Sequence, residues 1–176
     1  MSETGAHRLD LAARRSLAFA TALLAVLFDL LRLVGQSPDA VAPLLSLAVV
    51  YHWSVQRPDL FTPSSAFLLG VVRDLVGQLP LGLHALTYLT VPAALGRVPR
   101  APLQRSLPLT WATFVPIAAS AAILRWGLAA LVRWEPMPAR AFLVEAVATV
   151  VLYPLVAWLL GPVERAIPKT PRAPGI

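Results

Sequence analysis

At 176 residues, 57% hydrophobic and only 14% charged, with a mean hydropathy of +0.69, the chain carries far fewer charges than a water-soluble domain, which averages about 25%. That length accommodates at most about six or seven helical spans of ~20 residues, so the composition describes one membrane bundle. Fifteen Lys and Arg against nine Asp and Glu give +6, which in such a chain reports the loops kept on the cytoplasmic side before it reports nucleic acid, and the absence of cysteine excludes disulfides, thiolate metal sites and thiol nucleophiles.

In chain order, Met1–Arg15 forms a basic cytoplasmic segment with Arg8, Arg14 and Arg15, and an apolar run starts at Ser16. The run continues through Asp29 and Arg32 to Val34, longer than the apolar core of a signal peptide, and predicts an uncleaved first span. Neutral stretches follow at Ala40–Gln56, Leu75–Gly96, Ser106–Leu124 and Ala146–Val163, each of bilayer length as a helix. Leu60–Val72 is too short alone and must borrow Arg73, Asp74 and Leu75. The predicted spans are 16–34, 40–56, 62–77, 82–96, 107–131 and 141–160, so that 16–160 is one all-α six-span domain. No stretch shows the period-2 alternation of a strand. Pro43, Pro92, Pro116 and Pro154 fall inside neutral stretches and predict kinks, whereas residues 161–176, with Pro168, Pro171 and Pro174 among Arg165, Lys169 and Arg172, predict a flexible basic tail. With both termini inside, ten of the fifteen basic residues are cytoplasmic and three, Arg125, Arg133 and Arg140, lie outside.

Charged groups at membrane depth face a bundle interior, a wet cavity or a partner, which singles out Arg73 and Asp74. Two readings of Arg73 stay open: a functional or specifically paired group, and a side chain snorkelling to the headgroups. Asp29 and Arg32, three residues apart, share a helix face and predict an intrahelical pair, while Glu145 is within reach of Arg140 or Arg125. His7, His52 and His84 are scattered singly, and no serine has nucleophile-elbow spacing. There is no metal-binding pattern, no cofactor motif and no carboxylate pair, so no enzyme is expected. Tyr51, His52 and Trp53 read as an interfacial aromatic belt, and Ala18/Ala22 and the run Ala118–Ala122 as surfaces of close helix approach.

From Phe67 the chain reads FLLGVVRDLVGQLPLG, and its Phe67, Gly70, Asp74, Gly77, Pro80 and Gly82 resemble the hallmark segment of the bacterial rod shape-determining MreD family. Tyr51, Trp53 and Arg57-Pro58 resemble the end of that family's preceding span, and Tyr153-Pro154 its proline-bearing last span before a basic tail. Arg73 departs from the pattern. The resemblance implies a six-helix bundle in the bacterial cytoplasmic membrane, similar to the substrate-binding subunits of energy-coupling-factor transporters. It also implies a non-catalytic scaffold of the peptidoglycan elongation machinery, bound to MreC and associated with RodA, a class B penicillin-binding protein and MreB, with membrane lipids around it and no nucleic acid. Structural or partner-binding roles then fall on the six hallmark residues, on Arg73 and on Pro154. A small-molecule-binding transport subunit is the alternative, against which the short loops 35–39 and 78–83 count. From the residues themselves, Gly70 and Gly77 predict close helix contact, Pro80 and Gly82 a tight turn, and Asp74 an acceptor for the following turn or a partner for a basic side chain.

Overall fold

The structure, a computed structural model, describes residues 3–34, 43–78, 80–133 and 139–167, with side chains from Leu11 onward except those of 32–34 and 132–133. The described residues form seven helices and no strand: α1 (Glu3–Val34), α2 (Leu45–Gln56), α3 (Pro63–Val76), α4 (Leu83–Leu95), α5 (Arg100–Arg105), α6 (Leu107–Arg133) and α7 (Ala139–Ala166). Loop 35–39 and the tail from 168 lie outside the described residues.

Helix α2 is apolar on all sides, which is the pattern of a helix with no outer face. Every residue from Ser46 to Val55 is buried, and the helix packs against α1, α4, α5, α6 and α7. Its Tyr51, His52 and Trp53 therefore lie in the core and form no interfacial belt. Tyr51 stacks in a cluster with Phe114 and Tyr153, and the Trp53 indole donates to Thr21 Oγ1 at 2.9 Å. An aromatic run has the same composition in a belt as in a core, and only the surrounding helices separate the two.

Three helices, Leu11–Leu31, Leu107–Leu131 and Ala139–Ala166, are long and apolar enough to cross a membrane. Their outer faces carry Leu24, Ile123, Val147 and Trp158, all well exposed, and a contiguous apolar exterior of this kind belongs in lipid. Helices α2, α3 and α4 have 12, 14 and 13 residues. At 1.5 Å per residue that is roughly 18–21 Å, shorter than the bilayer-length helices expected over 40–56 and 75–96. The second stretch is divided, because Leu75 and Val76 finish α3 and a turn with Gln78 and Gly82 at positive φ precedes α4. Pro43 lies before α2 and interrupts nothing, whereas Pro92, Pro116 and Pro154 are inside helices. Helix α5 has no counterpart among the expected spans.

Of the small residues expected to form surfaces of close helix approach, most are used within the chain, while Ala119 and Ser120 are exposed. Ala18, Ala22, Ala118 and Ala121 are buried in the core and Ala122 is nearly so. Gly70 makes a very close helix approach. A Cβ there would lie 2.3 Å from Ala85 Cα and 2.7 Å from the His84 carbonyl carbon, so α3 and α4 touch backbone to backbone. Gly70→Ala is expected to part the two helices at a cost of about 3 kcal/mol, since the obstacle is backbone and cannot swing aside. A melting temperature in detergent equal to the parent's would contradict that contact.

Candidate functional site

A helix start leaves its first amide N–H groups without intrahelical partners, and inside a membrane bundle no bulk water replaces them. Neither α2 nor α4 carries its own side-chain cap: Leu44 and Gly82 occupy the cap positions. In both cases the preceding helix supplies a carboxylate. Asp29, near the end of α1, accepts from Leu45 N at 3.1 Å through Oδ1 and from Ser46 N at 3.0 Å through Oδ2. Leu44 N donates to Thr149 Oγ1 of α7 at 2.8 Å, and Leu47 N to Leu44 O at 3.1 Å. The opening of α2 is thus bonded by α1, by α7 and by its own Leu44 carbonyl.

Asp29 is also the anchor of a buried ion pair. Arg73 Nη1 of α3 donates to Asp29 Oδ2 at 2.7 Å and to Ser46 Oγ at 2.9 Å, with Tyr88 OH of α4 at 3.4 Å. Ser46 Oγ in turn bonds Asp29 Oδ2 at 2.6 Å and shares a 2.5 Å hydrogen bond with Tyr88 OH. Asp29 is 3% exposed and Arg73 4%. Arg73 therefore does not snorkel but pairs with Asp29; the intrahelical pair expected between Asp29 and Arg32 lies outside the described residues, because the Arg32 side chain is not among them. In a low dielectric the carboxylate gains from a guanidinium and two helix-start amides together. One atom, Arg73 Nε, is buried without a hydrogen bond.

Asp74, the next residue of α3, faces the other way and closes the α3–α4 turn. Its Oδ2 accepts from Gly82 N at 2.9 Å, and Ala85 N lies at 3.4 Å. Its Oδ1 accepts from His84 N at 3.1 Å and from His84 Nδ1 at 2.8 Å. Leu83 N goes to Pro80 O at 3.2 Å, so the start of α4 is also complete. The carboxylate sits where the helix dipole favours a negative charge, and Gly82, at φ +100°, turns the chain so that its amide points back at Asp74. Asp74 and Arg73 are neighbours in sequence serving two different networks.

The other hallmark positions are simpler. Gly77 ends α3, its amide donating to Arg73 O at 2.9 Å; Pro80 is exposed in the turn; Phe67 is exposed on the outer face of α3. Pro154 is half-buried inside α7. Glu145 pairs with Arg125, two-pronged across α6 and α7, and the Arg125 guanidinium lies 5.2 Å over the Phe142 ring. At the far end of α2, Arg57 holds Asp59 through Nε and Nη2 at 3.2 and 3.1 Å and donates to Ile167 O at 3.0 Å, tying the end of α7 down. Ser46, His84 and Tyr88 join the networks although the sequence singled out none of them as a partner. A signal existed for two: His84 and Tyr88 are four apart, on one face of α4, beside a charged pair that needed company. In the Asp29 and Asp74 networks the polar atoms are directed at one another and at the starts of α2 and α4, an arrangement that locks α1–α4 together. No protein-family model, curated protein or solved structure matches the chain.

Proposed function

We propose that the chain is a non-catalytic, multi-pass scaffold of the MreD type in a bacterial cytoplasmic membrane, maintaining rod shape by binding MreC and the associated wall synthases. The observation supporting this reading is the construction of the 67–82 segment. Gly70, Asp74 and Gly82, three of the six residues that carry the resemblance, all serve one α3–α4 hairpin, and their roles are those of a rigid helix-joining element. In the fold proposed with it, α1, α2, α3, α4, α6 and α7 make six crossings similar to those of energy-coupling-factor substrate-binding subunits. The short α2 is compatible with this because neighbouring helices shield it from lipid, which relieves it of matching the bilayer thickness.

Both termini are proposed to be cytoplasmic, following the ten-to-three distribution of basic residues. The chain has no cysteine, so Ser2→Cys and Ser37→Cys give clean probes. In intact cells an impermeant thiol reagent is expected to label Ser37→Cys and spare Ser2→Cys; the reverse pattern overturns the orientation. The function itself is tested by co-purification with MreC from native membranes and by rod-shape complementation in cells lacking MreD. Failure of both at normal membrane levels refutes the scaffold reading, and a saturable isotherm for a vitamin-sized ligand on the purified protein would favour a transport subunit.

A further inference from the structure

At the end of the bundle where α2, α5 and α7 finish and α6 begins there is a cavity of about 250 Å³, lined by His52, Gln104, Arg105, Leu107, Trp158 and Glu164 among others. Since α6 and α7 are both long enough to cross a membrane, their ends mark the headgroup level, and the cavity lies there. Arg57, Arg97, Arg100 and Arg165 belong to the same end of the bundle.

Three observations specify its occupant. First, His52 contributes a buried imidazole, side chain 3% exposed, with no hydrogen bond at either ring nitrogen; Glu164 Oε2 stands 3.5 Å from Nε2. A polar group this deep is ordinarily bonded, so the cavity presents an unmet donor and acceptor. Second, the lining holds charges of both signs, the Arg105 guanidinium and the Glu164 carboxylate, and Arg105 makes no ion pair among the described residues. Third, Leu107 and Trp158, 50% and 72% exposed, form an apolar lip on the lipid-facing side. A ligand of several hundred Å³, the usual size for a drug-like molecule, exceeds the space. A zwitterionic headgroup whose tails leave over the lip fits it.

We infer that this cavity binds the headgroup of a phosphoethanolamine lipid. Arg105 and the His52 ring N–H take the phosphate oxygens, Glu164 takes the primary ammonium, and the acyl chains run out past Leu107 and Trp158. Phosphatidylglycerol offers no cation to Glu164, and the trimethylated ammonium of phosphatidylcholine has no N–H to donate.

The full chain, purified in detergent and presented with equal amounts of phosphatidylethanolamine, phosphatidylglycerol and phosphatidylcholine, is expected to retain one phosphatidylethanolamine in native mass spectrometry. The preference over each competitor is expected to be about tenfold, the worth of one charge-assisted hydrogen bond. Arg105→Gln should weaken retention about tenfold, and Glu164→Gln should abolish the preference over phosphatidylcholine. Equal occupancy by the three lipids in the unaltered protein means a non-specific lipid shell and overturns the proposal, whatever the variants do. Normal selectivity in both variants overturns it too. Soluble glycerophosphoethanolamine is expected not to compete at concentrations where the lipid is bound; equal competition would assign the site to a soluble phosphoamine and remove the lipid.

Discussion

Arg73→Leu is expected to destabilise the protein by about 3–5 kcal/mol, the usual cost of removing one member of a buried ion pair. The substitution leaves Asp29 charged and 3% exposed, with the Ser46 hydroxyl as its remaining partner among the described side chains. Burial of a lone carboxylate, more than the loss of the guanidinium's own bonds, carries the penalty. Adding Asp29→Asn should therefore recover much of it. With its carbonyl at the Oδ1 position the asparagine can still accept from Leu45 N, and its NH2 at the Oδ2 position can donate to Ser46 Oγ, which Arg73 no longer occupies, at the expense of the bond from the Ser46 amide. Melting of the purified single and double variants measures the effect. A single variant that melts like the parent would refute the pair, and a double variant less stable than Arg73→Leu alone would refute the lone-charge explanation.

What the sequence made legible was local. The starts of α3, α4 and α6 at Pro63, Leu83 and Leu107 fall next to the expected 62, 82 and 107, because each follows an interruption of the apolar pattern and a residue suited to a start. At α3 that residue is Thr62, whose Oγ1 accepts from Ser65 N at 3.3 Å ahead of Pro63 in the first turn. The acceptor role of Asp74 was legible for the same reason, since its donors begin eight residues later across one turn. The Asp29–Arg73 pair was not legible, because its partner lies 44 residues on and is set by how α1 meets α3. Ala18, Ala22 and Ala118 mark close packing in any reading, yet small residues do not say whether the approaching helix belongs to the same chain. Helix α5 escaped because six residues bounded by two arginines show no apolar period. Gln104 from it donates to the Val55 carbonyl at 2.9 Å and so closes the end of α2, an interaction that only the assembled bundle defines.

Asp74→Ala is expected to match or exceed the Arg73 effect and, on the proposed scaffold reading, to abolish rod-shape complementation, while Asp74→Asn retains most of both. Alanine removes the acceptor of Gly82 N, His84 N and the His84 ring at once and leaves the start of α4 with orphan donors, each worth about 1–3 kcal/mol when buried. Asparagine keeps one carbonyl for the amides of Gly82 and His84. Its NH2 would meet His84 Nδ1, and a neutral imidazole can present that nitrogen as an acceptor by carrying its proton on Nε2. The tautomer shift makes asparagine a tolerable replacement where the charge alone is lost. Complementation in cells, with membrane levels and melting temperature followed for each variant, separates the possibilities. If asparagine fails as fully as alanine while the protein remains folded and abundant, the negative charge itself is required, and Asp74 becomes a candidate for ion or proton coupling rather than a cap on α4.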